Sequence, residues 1–383
     1  MKPINKNHIY QLSKVNYLNM GLIILFLVLS CSAGDSEPNN MPSNLVLNIT
    51  IVGSDDSNPN GDGSGVVQVS ASAKNAVRYA FRFENGDLQD SPSGSMEHVF
   101  TLDGTHSYTV TAWAYSETGE FIKETVTVEV FKSDEAFTTL VFSDEFEYEG
   151  SADPEKWHHQ VIPPNNGSWY NDELQHYTDR ADNSFVSDGT LKIVGLKEQY
   201  TTNSSTKSFT SARLNSKFVF TYGRVEFRAK LPIEAGTWPA FWTLGANINE
   251  TGNYFGDQYG SVGWPACGEI DIMEQNGWNK DSVIAHFHWG DMNTGEYMNS
   301  GGTTAISDVS SVFHIYSMEW DSSNIKVFVD NELIYELPNS SNKPYNDLHY
   351  LLMNLAIGGT LGGDVPESFT QDILEIDYVR VYQ

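Results

Sequence analysis

Apolar and polar residues alternate with a period of two along most of the chain after residue 45. In 45–132 the runs "LVLNITIVG", "GVVQVSASA", "YAFRFENGD", "MEHVFTL", "SYTVTAWAYS" and "ETVTVEVF" follow one another with short turns between them. Successive side chains of a strand point to opposite faces, so each run predicts a strand packed on one side and wet on the other. Together they predict a small immunoglobulin-like β-sandwich. A polar join, "KSDEAFT" (Lys132–Thr138), leads into a second region, 138–383. There "TLKIVGL", "SKFVFTYGRVEFRAKLP", "VIAHFHWG", "IKVFVDNELIYEL", "HYLLMNLAIGG" and "ILEIDYVRVY" predict strands separated by Gly, Asn and Asp turns. No amphipathic helix competes with them, so the region reads as a large antiparallel sandwich or jelly roll, and the whole chain as all-β.

Before residue 45 the pattern changes. Lys2, Lys6 and Lys14 precede the apolar run "MGLIILFLVLS" (Met20–Ser30), which is short for a bilayer span and reads as a signal peptide over 1–30. The run closes on "VLSC", which resembles a bacterial lipobox and makes Cys31 the expected lipidated residue; a polar linker, 31–44, follows. With Cys31 acylated, Cys267 has no partner and no disulfide framework is expected. A net charge of −28 over 383 residues argues against nucleic acid and against anionic membrane surfaces, leaving the lipid as the expected membrane contact. A monomer in the bacterial cell envelope, outer-membrane or secreted, is expected.

One apolar run carries charges. "WPACGEIDIMEQNG" (Trp264–Gly277) holds Glu269, Asp271 and Glu274 among strongly apolar neighbours. On a regular strand Glu269 and Asp271 share a face, while Glu274, five residues from Glu269, points the other way. A bulge around Ile272–Met273 restores the parity and turns all three acids into one cleft. Crowded carboxylates suit cleavage of a glycosidic bond, one ionised as nucleophile and one protonated to assist the leaving oxygen, at the roughly 5–5.5 Å of a retaining enzyme. Calcium would more usually draw its oxygens from a glycine-containing loop of Asp and Asn. Eight of the nine tryptophans follow residue 150, and Trp238 and Trp242 share a face in "GTWPAFWTLG". Flat rings beside acids and amides suit sugars.

The "GEIDIME" stretch resembles the bulged active-site signature of glycoside hydrolase family 16. "FSDEFE", "DPEKWHHQ", "NDELQHYT", "DGTLKI", "YGRVEFRAKLP", "GTWPAFWTLG", "HFHWG" and "IDYVRVY" stand in the family's order across 138–383. The resemblance implies a concanavalin A-like β-jelly roll, a retaining double displacement, and no cofactor for catalysis. It implies Glu269 as nucleophile, Glu274 as acid/base, Asp271 as assisting carboxylate, and His288, with His286 competing, as a histidine near the acid/base. Asn171, Arg213, Trp238 and Trp242 fall where the family lines its glycone subsites. A structural calcium is implied on the convex side, at Glu145 and Gly189 through backbone oxygens and Asp377 through its side chain. The laminarinase branch fits best, making β-1,3-glucan the expected partner; mixed-linkage glucan, a galactan, or binding without catalysis are the alternatives. A long connection, "NINETGNYFGDQYGSVG" (Asn247–Gly263), is expected to wall one side of the cleft. The run "YAFRFENGD" with "HVFTLDGTHSYTVTAWAYSETG" resembles PKD-type domains, implying a spacer or accessory module with glycan binding as the alternative.

Overall fold

Strand alternation is realised as two sandwiches in sequence. The computed structural model describes residues 41–55, 58–133, 137–202 and 204–383. The expected signal segment and Cys31 lie outside them. The first sandwich packs a three-stranded sheet (Ser43–Ile51, Val66–Lys74, Ser95–Val99) on a four-stranded one (Gln89–Ser91, Arg78–Phe83, Gly104–Tyr115, Phe121–Lys132). Its core is what the alternation predicts: Val67, Val69, Phe81, Phe83, Val110 and Val130 point inward.

The second sandwich begins at the strand Leu140–Asp144 and is built from a ten-stranded and a seven-stranded sheet. The seven-stranded sheet runs in the order Tyr297–Ala305, Ser282–Gly290, Glu269–Glu274, Thr237–Gly245, His349–Ile357, Arg213–Phe220, Trp157–His159. Between the sheets lies one large apolar core, including Phe227, Phe241, Ile270, Phe287, Tyr316 and Leu351. Phe227 and Phe241, one from each sheet, stack with ring centroids 4.6 Å apart. Among the described residues the helices are two single turns, Gly256–Tyr259 and Gly359–Gly362.

The two sandwiches touch through named side chains. Thr105 Oγ1 donates to the Asn331 carbonyl at 2.8 Å, and the Arg224 guanidinium lies 4.9 Å from the centre of the Phe131 ring. Arg224 is itself buried, paired with Glu319 at 2.8 Å and Glu226 at 2.7 Å. A buried cation needs compensation of this kind.

Candidate active site

The strand Glu269–Glu274 lies inside the seven-stranded sheet, and its two neighbours define the bulge. Thr237–Gly245 pairs Leu244 with Glu269, Trp242 with Asp271, and then Phe241 with Met273, so Ile272 is extra. Ser282–Gly290 sets His288 against Glu269, His286 against Asp271 and Ile284 against Glu274. Ile270, Ile272 and Met273 enter the core, while Glu269, Asp271 and Glu274 line one cleft with Asn171, Arg213, Trp238 and Trp242. The bulge thus restores the parity that brings Glu274 to the face of Glu269 and Asp271.

The register places the expected histidine: the bulge carries Glu274 on to Ile284 and leaves His288 across from Glu269, in the same cleft as all three acids. His288 Nε2 lies 3.5 Å from Asp271 Oδ2 and 4.0 Å from Glu269 Oε1. Its Nδ1 is 2.7 Å from Tyr297 Oη. Burial, with His286 beside it, pushes the imidazole down to about 4, so the ring is neutral near pH 7. A Tyr297 hydroxyl donating to Nδ1 leaves the ring proton on Nε2, facing Asp271. His286 instead meets Asn299 Oδ1 at 3.2 Å.

Trp238 does more than the resemblance implied. Its indole N–H donates to Glu274 Oε1 at 2.9 Å, and with 8% of its surface exposed the ring is no open platform. Trp242 is half-buried, with the Arg213 guanidinium 4.7 Å from its ring centre. Arg213 pairs with Glu250 Oε1 at 3.3 Å, and Gln160 Nε2 donates to the same oxygen at 2.7 Å. Glu250 and Ile248 bring the long connection 247–263 into the cleft lining. Of the other tryptophans, Trp169 and Trp289 are core residues, whereas Trp264 and Trp278 are 50% and 63% exposed. Cys267 is fully buried against Leu244 and Tyr350 and its thiol is pushed up by burial, so it is a packing residue.

All three acids hold their protons more tightly than free carboxyls. Burial raises Glu269 to about 8, the charge of Glu274 adds to this, and Arg213 opposes it. Burial raises Glu274 to about 7 against the Trp238 hydrogen bond. Asp271 is pushed well above the carboxylate range by burial first, then by Glu269 and Glu274. Three like charges in one buried place are not all tolerated, so protons stay on the cluster near neutrality. Of the three, Glu269 is the one on which a cation acts.

This has a consequence for stability. Between the unfolded carboxyl value and about 7 to 8, the folded protein binds more protons than the unfolded chain, so unfolding free energy falls as pH rises. Removing one member by Glu269→Gln is expected to raise the melting temperature by roughly 5 °C at pH 8 and by much less at pH 5. Calorimetry at the two pH values checks it; an equal shift at both would refute the linkage.

On the ten-stranded sheet, Glu145, Gly189 and Asp377 gather around a second pocket with Arg228 and Arg380. The donors are the oxygens that a hard cation takes. The Asp377 carboxylate also accepts from Arg228, and Arg380 holds the Glu145 carboxylate at 2.8 and 3.1 Å. Calcium there would share Asp377 with Arg228, use the backbone oxygens of Glu145 and Gly189, and supply rigidity rather than chemistry.

Sequence reasoning passed over Glu173, Glu250, Tyr297 and Asn354, which also line the cleft. Asn354 had a readable signal: it is a polar residue in the apolar run "HYLLMNLAIGG". A buried amide must find partners.

The family described as glycosyl hydrolases family 16 matches residues 176–380. A β-glucanase from Rhodothermus marinus is 39% identical over 259 residues, covering 64% of this chain and 85% of that protein. The glucan endo-1,3-β-glucosidase A1 of Niallia circulans is 35% identical over 278 residues, 64% of this chain but only 38% of that longer protein. Among solved structures, LamA from Zobellia galactanivorans, crystallised with laminaritriose and laminaritetraose, is 72% identical with a TM-score of 0.64. It covers 64% of this chain and is itself covered completely.

Proposed function

The chain belongs to glycoside hydrolase family 16, and from that premise we propose that it hydrolyses β-1,3-glucan internally with retention of configuration. The observation that carries the proposal is the bulged strand, which sets the half-buried Glu269 and the buried Asp271 and Glu274 in one cleft between indole rings. Glu269, the acid on which Arg213 acts, is the carboxylate that attacks the anomeric carbon: the three acids share their protons, and the productive arrangement is the one with the charge on Glu269 beside Arg213 and a proton on Glu274. The glycosidic C–O bond breaks as Glu274 gives its proton to the leaving oxygen, and a glycosyl ester on Glu269 results. Glu274, now ionised, takes a proton from water, whose oxygen displaces Glu269 and restores both groups.

Asp271 is the proton holder between them. Its raised affinity keeps it neutral, so that it donates a hydrogen bond to the Glu269 carboxylate instead of repelling it. Neutral His288, pinned by Tyr297, flanks Asp271 with Nε2 3.5 Å from Oδ2. The Asn247–Gly263 connection, tied down through Glu250, walls the cleft and favours a bent 1,3-linked chain over a straighter one. Residues 45–132 are read as a PKD-like spacer, a reading supported by the seven strands in two sheets.

A product profile tests the substrate. Laminarin is expected to yield a ladder of oligosaccharides, with much less from mixed-linkage glucan and none from agarose or carrageenan. Equal cleavage of mixed-linkage glucan would remove the proposed preference. Binding of laminarin without any product would instead favour a catalytically silent glycan-binding protein.

A further inference from the structure

Behind Trp242 runs a chain of hydrogen bonds in which chemistry forces the direction of each link. An indole N–H only donates. Trp242 Nε1, 2.8 Å from Asn354 Oδ1, therefore fixes which end of that amide faces it. The Asn354 NH₂ group is turned the other way and donates to Tyr177 Oη at 3.1 Å. Tyr177, accepting there, directs its own hydrogen to Glu173 Oε2 at 2.9 Å. A second amide is oriented in the same fashion. The backbone N–H of Ile357 holds Gln175 Oε1 at 2.8 Å, which leaves the Gln175 NH₂ facing Glu173 Oε2 at 2.5 Å.

Two donors thus converge on one oxygen of Glu173. The series must end on an atom that has nothing to donate, and a carboxylate oxygen is such an atom. Its links are buried: Gln175 is wholly enclosed, Tyr177 is 1% exposed and Asn354 7%. A donor left without an acceptor here costs a full desolvation penalty. The acid is also held by its backbone. Leu174 N donates to Ile357 O at 2.9 Å, and Thr360 N donates to Asn171 O at 2.9 Å. Gly359 permits the second contact, since a Cβ there would come within 2.6 Å of the Asn171 carbonyl.

We propose that Glu173 is a positioning residue for the cleft: through Tyr177 and Asn354 it locks the Trp242 indole in the orientation that receives the polysaccharide. The proposal rests on the reading of this cleft as the glucan site. Glu173 acts as the acceptor at the end of a relay, a role that the Glu173→Gln variant separates from its charge.

The test is a set of steady-state measurements on laminarin. Glu173→Ala and Tyr177→Phe are each expected to raise KM about five- to tenfold, with kcat within about twofold of wild type. The double variant is expected to be no worse than either single one, because both cut the same chain. Glu173→Gln, which keeps an oxygen at the terminus, is expected to hold KM within about twofold. Additive effects, an unchanged KM in Tyr177→Phe, or a Glu173→Gln variant as impaired as Glu173→Ala would overturn the relay. Tyr177→Phe removes one hydroxyl and carries the test should Glu173→Ala fail to fold. Trp242→Ala separates the two levels: an unchanged KM there would overturn the cleft reading itself, whereas a raised KM with normal Glu173→Ala kinetics would overturn the relay alone.

Discussion

Glu269→Gly is expected to turn over laminarin about 10⁴-fold more slowly than wild type or worse, while binding the polysaccharide nearly as well. In the proposed mechanism the residue supplies the attacking oxygen and little of the binding surface, so its loss falls on kcat. Azide should restore a large share of the rate on an activated aryl glycoside, because the missing carboxylate leaves space on the attacking face. The product should be the α-glycosyl azide, formed by one inversion at a β-linked centre. A β-azide, or no rescue with intact glucan binding, would assign the nucleophile elsewhere, and Asp271 would be the next residue to replace. Glu269→Gln serves as a control, since its amide fills the site and azide should rescue it poorly.

Much of this arrangement could be read from residue spacing, and the parts that could not share a cause. Alternation located most strands of both sandwiches, because one face of each strand is packed. It did not reveal Tyr297–Ala305, whose residues "YMNSGGTTA" are polar or small and mostly exposed. That strand nevertheless brings Tyr297 and Asn299 to the two histidines. The bulge was legible because parity is a local property of the chain: three acids at spacings of two and three cannot face one cleft without an extra residue. Which side chain meets which across the sheet depends on register, and register is set by distant strands. The face of His288 could therefore be read from the sequence, but not that Glu269 is the residue across from it.

Non-local pairing also explains why the hydrogen-bond partners stayed hidden. Trp238 is separated from Glu274 by 36 residues, and Tyr177 from Asn354 by 177. A tryptophan in a candidate cleft reads as a sugar platform when only its type is known. Burial and the direction of its N–H show that Trp238 is also a hydrogen-bond partner of Glu274. Glu250 belongs to the long connection, where the sequence marked an insertion but not its contact with Arg213.

The role of Glu274 can be isolated from that of Glu269 by varying the leaving group. Glu274→Ala is expected to cut activity on laminarin by about 10³-fold, in the range that general acid catalysis contributes. On a dinitrophenyl glycoside, whose leaving oxygen needs no proton, formation of the glycosyl ester should be nearly normal and its hydrolysis should become slow. Azide should then accelerate turnover by attacking the ester and should give the β-glycosyl azide, the opposite anomer to that from Glu269→Gly. Two variants yielding opposite anomers would assign the two carboxylates without reference to any other protein. The pH profile supplies a second criterion. Burial holds Glu274 up near 7, and the protonated form is the productive one, so wild-type kcat/KM should fall as pH rises through that value. Glu274→Ala should lack this alkaline limb. If the limb persists in the variant, the proton belongs to another member of the cluster, and Asp271, also raised by burial, would be the next donor to test.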